Sequence, residues 1–219
     1  MQRQPSILFW DVDTQVDFMH PDGALYVGGA EKITSNLARL TAAARQQRIP
    51  VIASADDHRL GDAEISESPD FETTWPPHCM HGTPGQRKIR ETSLPEALVI
   101  GRDEISDTEI RRHVNTAGEA LLILKDQVDV FGNPNTAKLL AEIEPRRIVL
   151  YGVALDVCNR HTVDGLWNRG FTKVAVVADA VMAIDEERGN RLLDEWDGRG
   201  LEILTTDEVL ARVEEPAYA

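Results

Sequence analysis

Seven short apolar runs punctuate this chain, at 7–10, 51–53, 97–100, 121–124, 148–151, 174–177 and 201–204. Most are unbroken rather than alternating, the pattern of strands in a parallel sheet covered on both faces. Between them the apolar positions change to helical spacing. The stretch 30–47 carries Ile33, Leu37, Leu40 and Ala44 on one face, with Pro50 closing it. Further helices are predicted over 106–114, 135–144, 159–169 and 186–196, the last stopped by Gly198 and Gly200. Thr206-Asp207-Glu208 opens a final short helix with a capping hydroxyl and an acidic first turn. The alternation predicts an α/β fold, a single doubly wound domain over 1–219 with a mostly parallel sheet and helices on both faces.

In such folds the functional groups gather at the carboxyl ends of the strands. Polar residues follow directly on the apolar runs at Asp11 and Asp13, at Asp56-Asp57-His58, at Lys125-Asp126 and at the turn carrying Cys158. If the strands are parallel, all of them share one edge. Burying several charges together costs several kcal/mol each unless they pair or bind a metal, so structure alone is a poor explanation.

Composition narrows the field. The 219 residues suffice for one α/β domain of moderate size. A net charge of −14 argues against a nucleic-acid or anionic-membrane partner, since phosphate contacts need a basic surface. No apolar run reaches the roughly 18 residues of a membrane span. The amino terminus enters its first strand without a signal-like segment, and two cysteines, Cys79 and Cys158, make no secreted disulfide framework. A reducing cytoplasm is the expected location.

Cys158 lies where a strand, 147–151, gives way to a helix. Converging N–H groups and the helix dipole at such a junction lower a thiol pKa from about 8.5 to roughly 3.5–7.5. An activated thiol also needs a base and a positive neighbour; Asp13 and Lys125 are the candidates. The plain alternative is a small buried cysteine, a turn-capping Asp13 and a solvated Lys125. A second constellation joins Asp56 and His58, whose side chains point the same way at an extended strand end, to His78 in the Pro-stiffened segment Trp75-Pro76-Pro77-His78-Cys79. Two imidazoles and a carboxylate suit Zn²⁺, Fe²⁺ or Mn²⁺, although surface histidines would read the same way in the sequence.

The motifs together resemble the nicotinamidase/isochorismatase-like cysteine hydrolases. Asp13-Thr14-Gln15-Val16-Asp17-Phe18 followed by Gly23-Ala24-Leu25 is similar to their opening D-x-Q-x-D-F…G-A-L. Asp56-Asp57-His58 is similar to their D-x-H, the run Trp75 to Cys79 with Gly82-Thr83-Pro84-Gly85 to their W-P-x-H-C…G-T-P-G, and Gly152-Val153-Ala154 with Cys158 to their nucleophile turn. Four motifs stand in order through nearly the whole chain. The resemblance implies a six-stranded sheet, a catalytic triad of Asp13, Lys125 and Cys158, and an oxyanion hole from the amides of Ala154 and Cys158, next to a cis peptide. It also implies metal ligands Asp56, His58 and His78, with zinc first and iron or manganese as alternatives. Phe18 and Trp75 would sandwich a substrate ring, and Phe131 is placed in the same pocket. The implied activity is hydrolysis of a linear amide C–N bond, nicotinamide to nicotinate, as in pyridine nucleotide salvage. A homo-oligomer, dimer or tetramer, is expected, with Trp167, Trp196 or the 86–124 segment as contact candidates.

Departures from the pattern leave specificity open. Asp57 stands where nicotinamidases often have Trp, residues 59–64 lack a further His, the residues after Lys125 differ, and 86–124 is long. Whether Asp11, Asp62 or Glu64 assists the metal is open as well. Other small amides of ureido or maleamate type are therefore alternatives. So is a haloacid-dehalogenase-like phosphatase, because residues 7–14 also resemble its opening with Asp11 and Asp13 as the acid pair. A non-catalytic scaffold is the third.

Overall fold

The computed structural model describes residue 1 and residues 4–213. Seven strands form one sheet: β1 (Leu8–Val12), β2 (Val51–Asp56), β3 (Leu98–Ile100), β4 (Ala120–Lys125), β5 (Ile148–Val153), β6 (Val174–Met182) and β7 (Glu202–Leu204). Their order is β3-β4-β2-β1-β5-β6-β7, and every pairing is parallel. The sheet has seven strands rather than the expected six, because both edge runs, each three residues long, pair with their neighbours. Short edges leave few open backbone groups for another chain.

The helices are α1 (Val16–Met19), α2 (Thr34–Gln47), α3 (Asp107–Thr116), α4 (Thr136–Ile143), α5 (Arg160–Trp167), α6 (Glu186–Gly198) and α7 (Thr206–Val213). Strand side chains alternate between two cores. Phe9, Val51, Val149, Tyr151 and Val177 pack with Leu37 and Leu40 of α2 and Val209 of α7. Leu8, Trp10, Ile52, Leu150 and Val176 pack on the other face with residues of α3, α4, α5 and α6. Period-two alternation within unbroken apolar runs is what fills both layers.

The long 86–124 segment supplies β3 and α3. A capping box, in which Ser106 and Glu109 satisfy each other's backbone amides, starts α3, and Ile110 and Val114 bury its apolar face. The predicted helix over 30–47 divides into a 3₁₀ turn, Ala30–Ile33, and α2. Trp196, a contact candidate, is 1% exposed and belongs to the core. No helix among the described residues is long and apolar enough to cross a membrane.

Central β1 is flanked by β2 on one side and β5 on the other, so successive connections leave it in opposite directions. That switch point opens a crevice at the carboxyl ends of the strands. The crevice also depends on Gly152. Its φ is +116°, and a Cβ there would lie 2.0 Å from the Val12 carbonyl oxygen, so only glycine lets β5 pass β1 this closely.

Candidate active site

Each central strand delivers one reactive group. Asp13 follows β1 in a left-handed conformation with φ 47°, which aspartate tolerates better than most residues. Its amide donates to the Ser54 carbonyl at 3.2 Å, and the Ser54 hydroxyl donates to Asp13 Oδ1 at 2.6 Å. The β2–β4 register places Asp56 directly opposite Lys125. After β5 the peptide between Val153 and Ala154 is cis, and a π turn, Leu155–Asn159, carries Cys158 into α5. These four chain segments meet. Lys125 Nζ lies 2.9 Å from Asp13 Oδ2 and 3.8 Å from Cys158 Sγ, and it also contacts Asp56 Oδ1. Asp13, Lys125 and Cys158 are 0%, 1% and 6% exposed.

Burial alone would neutralise Lys125, but Asp13 and Asp56 hold its pKa well above the ordinary lysine value. Asp56 is also buried, yet Lys125 and the two neighbouring histidines keep its carboxyl well below the usual range. The Cys158 thiol goes the other way from the sequence expectation. Burial pushes it well up; Lys125 opposes this, while Asp13 and Asp56 add to it. A buried thiol resists ionising, and the Asp13 and Asp56 side chains disfavour a further negative charge beside them.

Asp56 turns its second oxygen toward the histidines. His58 Nε2 is 3.6 Å and His78 Nε2 3.5 Å from Asp56 Oδ2, and one donor atom from each residue falls within 4.8 Å of the others. His78 Nδ1 donates to the Pro76 carbonyl at 2.8 Å, leaving Nε2 free as a lone-pair donor. His58 is 0% exposed, and neither ring nitrogen has a hydrogen-bond partner. An orphaned imidazole between a carboxylate and a second imidazole fits a divalent cation. Behind it, Asp62 Oδ2 stands 3.7 Å from His58 Nδ1 and is held by Arg102 at 2.7 Å.

Gln15, to which the sequence assigns no individual role, fixes the end of β2. Its side chain donates to the Asp56 carbonyl at 2.8 Å and accepts from the Asp56 amide at 2.7 Å. Asp57 also acquires a structural reason. It is buried and accepts from Gln86, with His81 Nδ1 2.5 Å away, tying together the loop that follows His78.

A pocket leads from the surface to Cys158. Phe18 and Trp75 line it, together with Leu25, Val27, Asp56, Glu64, His78, Val128, Ala154, Val157 and Ile184. Glu64 accepts from the Val128 amide at 3.0 Å, and burial raises its pKa. Phe131 is not part of this lining. A turn over Val130–Gly132, capped by Asp129, sends its ring to the opposite core, 6.4 Å from Trp10 and 3.9 Å from the Arg169 guanidinium. Gly165 makes the room, since a Cβ there would sit 2.2 Å from the Phe131 ring. A glycine in mid-helix was the available signal. Asp11 belongs to neither cluster. It pairs with Lys88 at 2.9 Å and accepts from Thr14 at 2.8 Å, which removes the free acid pair that the phosphatase reading needs.

The isochorismatase domain model matches residues 7–208. A nicotinamidase/pyrazinamidase of Mycobacterium tuberculosis (strain ATCC 25618 / H37Rv) is 36% identical over 89 residues, 40% of this chain and 47% of that protein. The chain thus matches about half the length of this curated relative. The pyrazinamidase of Pyrococcus horikoshii, solved in complex with zinc, has a TM-score of 0.72 at 26% identity, covering 92% of this chain and 99% of the other. The N-carbamoylsarcosine amidase of Thermoplasma acidophilum has the same fold, with a TM-score of 0.68 at 23% identity over 94% and 98%. With the domain model matched from the first strand to the last helix, the chain belongs to the isochorismatase-domain family.

Proposed function

We propose that this protein is a metal-dependent cysteine amidohydrolase that releases ammonia from a small amide, with nicotinamide the first substrate to test. One observation carries the reading: a buried lysine 2.9 Å from Asp13 and 3.8 Å from Cys158 at the base of an aromatic-walled pocket. A structural ion pair would not need a thiol as its third member. The M. tuberculosis and P. horikoshii relatives support an amide as substrate and zinc as the metal. The fold itself also carries an N-carbamoylsarcosine amidase, so ureido or maleamate-type amides stay in the panel.

The substrate amide lies against Phe18 and Trp75 with its carbonyl carbon over Cys158. The thiol proton passes to Asp13 as sulfur attacks the carbonyl carbon. The amides of Ala154 and Cys158 receive the developing oxyanion, each worth about 2.7–4 kcal/mol in comparable sites. Collapse breaks the C–N bond, Asp13 returns its proton to nitrogen, and ammonia leaves a thioester on Cys158. Water then gives its proton to Asp13 and attacks the thioester; the C–S bond breaks and the thiol is restored. Lys125 holds both partners in register and balances their charge throughout. Asp56, His58 and His78 would hold the metal, which when bound supplies a Lewis-acidic anchor for a substrate lone pair.

The enzyme is proposed to work as a homo-oligomer in a reducing cytoplasm, where Cys79 and Cys158 stay unpaired. The test is ammonia release from a panel of amides by wild type and Cys158→Ala. Wild type should hydrolyse at least one ring or short-chain amide. Cys158→Ala should lose about ten-thousandfold or more in rate with metal content unchanged. Turnover retained in Cys158→Ala would reject covalent catalysis.

A further inference from the structure

His58 and His78 present the same ring nitrogen, Nε2, to Asp56 Oδ2, but their rear nitrogens meet different partners. His78 Nδ1 donates to the Pro76 carbonyl at 2.8 Å. His58 Nδ1 faces a carboxylate instead, that of Asp62, 3.7 Å away. Asp62 is itself tied down: its Oδ2 accepts from the Arg59 amide at 2.8 Å and from Arg102 Nη1 at 2.7 Å. The same guanidinium nitrogen donates to the Asp57 carbonyl at 2.9 Å, between Asp56 and His58 in the chain. It also stands 3.3 Å from Asp126, the residue after Lys125. One guanidinium thus braces the ends of β2 and β4 together with the carboxylate behind His58. Arg102 is mounted in turn. It lies just past the edge strand β3, and two buried asparagines fix the backbone on either side of it. Asn133 donates to the Gly101 carbonyl at 2.9 Å and Asn135 to the Asp103 carbonyl at 2.8 Å. A freely solvated ion pair contributes little and has no use for such a mount.

We infer that Asp62 and Arg102 are positioning residues for metal binding: Asp62 sets which nitrogen of His58 carries the lone pair, and Arg102 holds Asp62 in place. For His58 to act beside Asp56 and His78 it must offer Nε2, which leaves the imidazole proton on Nδ1. Asp62 faces that proton. Its negative charge favours this tautomer and makes the ring a stronger donor on the opposite side. Without Asp62, the Asp56 carboxylate 3.6 Å from Nε2 draws the proton to the nitrogen that has to be bare. The inference rests on the metal-dependent reading and adds two residues outside the set Asp56, His58 and His78. It also gives the long 86–124 segment a task, since its edge strand delivers Arg102 to the rear of His58.

The test is the Zn²⁺ affinity of the metal-free full chain, measured by competition with a chromophoric chelator. Asp62→Asn keeps the outline of the side chain but removes its charge, and should weaken zinc binding by about 10–100-fold. Arg102→Gln should weaken it by a smaller factor. Combining the two should cost little beyond Asp62→Asn alone, because the arginine acts through the carboxylate. Fully additive losses would overturn that route. A merely structural brace would lower the melting temperature of the metal-free variants and leave the zinc affinity of the folded protein unmoved. Should Asp62→Asn fail to fold, the affinity of Arg102→Gln decides alone. Wild type that binds zinc, loses it in His78→Ala and keeps it undiminished in Asp62→Asn and Arg102→Gln overturns the inference while the metal-dependent reading stands. Wild type that binds no zinc overturns both.

Discussion

The cluster around Lys125 and the cluster around His58 share Asp56 but differ in how far the protein itself completes them. Around Lys125 the charges are nearly closed: one ammonium faces Asp13 and Asp56 with a thiol alongside. Around His58 the set is open, with two ring nitrogens buried and unpartnered. A closed buried cluster is specified by folding, because any missing member leaves an uncompensated charge. An open one is specified for something that arrives later. The two halves of one site therefore answer to different perturbations.

The largest effect should come from breaking the closed half. Lys125→Met leaves two carboxylates buried side by side and should cost about 3–5 kcal/mol of stability, measured by denaturant unfolding. In metal-free protein its pH dependence follows from the two shifts. Asp56 has a lowered pKa, so its contribution is present above the unfolded value near 3.9 and is lost as pH falls through the lower folded value. Lys125 has a raised pKa, so its contribution is present below about 10.4 and is lost only as pH rises beyond that toward the folded value. The wild-type cluster's contribution should stay level from about pH 4 to 10 and fall outside that window, while the variant's unpaired carboxylates should widen the gap as pH rises above about 4. A gap that closes near neutrality would mean the cluster is not ionised as described.

The open half should respond to metal instead. Adding Zn²⁺ at about a hundredfold over its Kd should stabilise wild type by about 2.7 kcal/mol, seen as a raised melting temperature. His78→Ala should fold but lose most of that rise and most of its bound metal by elemental analysis. An unaltered metal content would remove His78 from the ligand set. The smallest effect tests the boundary of the pocket. Phe131→Leu should cost under about 1.5 kcal/mol in stability and leave KM alone, whereas Trp75→Leu should raise KM.

Most of this arrangement could be read from the chain, for a reason that also marks the limit. Strand ends in a parallel sheet lie close together, so Asp13, Asp56, Lys125 and Cys158 could be gathered from apolar runs alone. The loops between them follow local rules of their own. Phe131 was misplaced because the turn capped by Asp129 sends its ring to the opposite core, into space left by Gly165. The Cys158 thiol was expected low from its helix junction, but burial and two carboxylates are properties of the assembled site. Likewise the carboxylate of Asp57 finds its partners only once the loop bearing His81 and Gln86 closes over it.

A glutamine side chain carries the same donor and acceptor as a peptide unit, and Gln15 uses both on the backbone of Asp56. It lengthens the ladder by one rung where no strand runs. Glutamate would match it in outline, yet would turn a lone pair toward the Asp56 carbonyl, where an N–H is required. At position 15, then, shape is not enough: the orientation of one amide decides whether the Asp56 carboxylate is held square or left to swing.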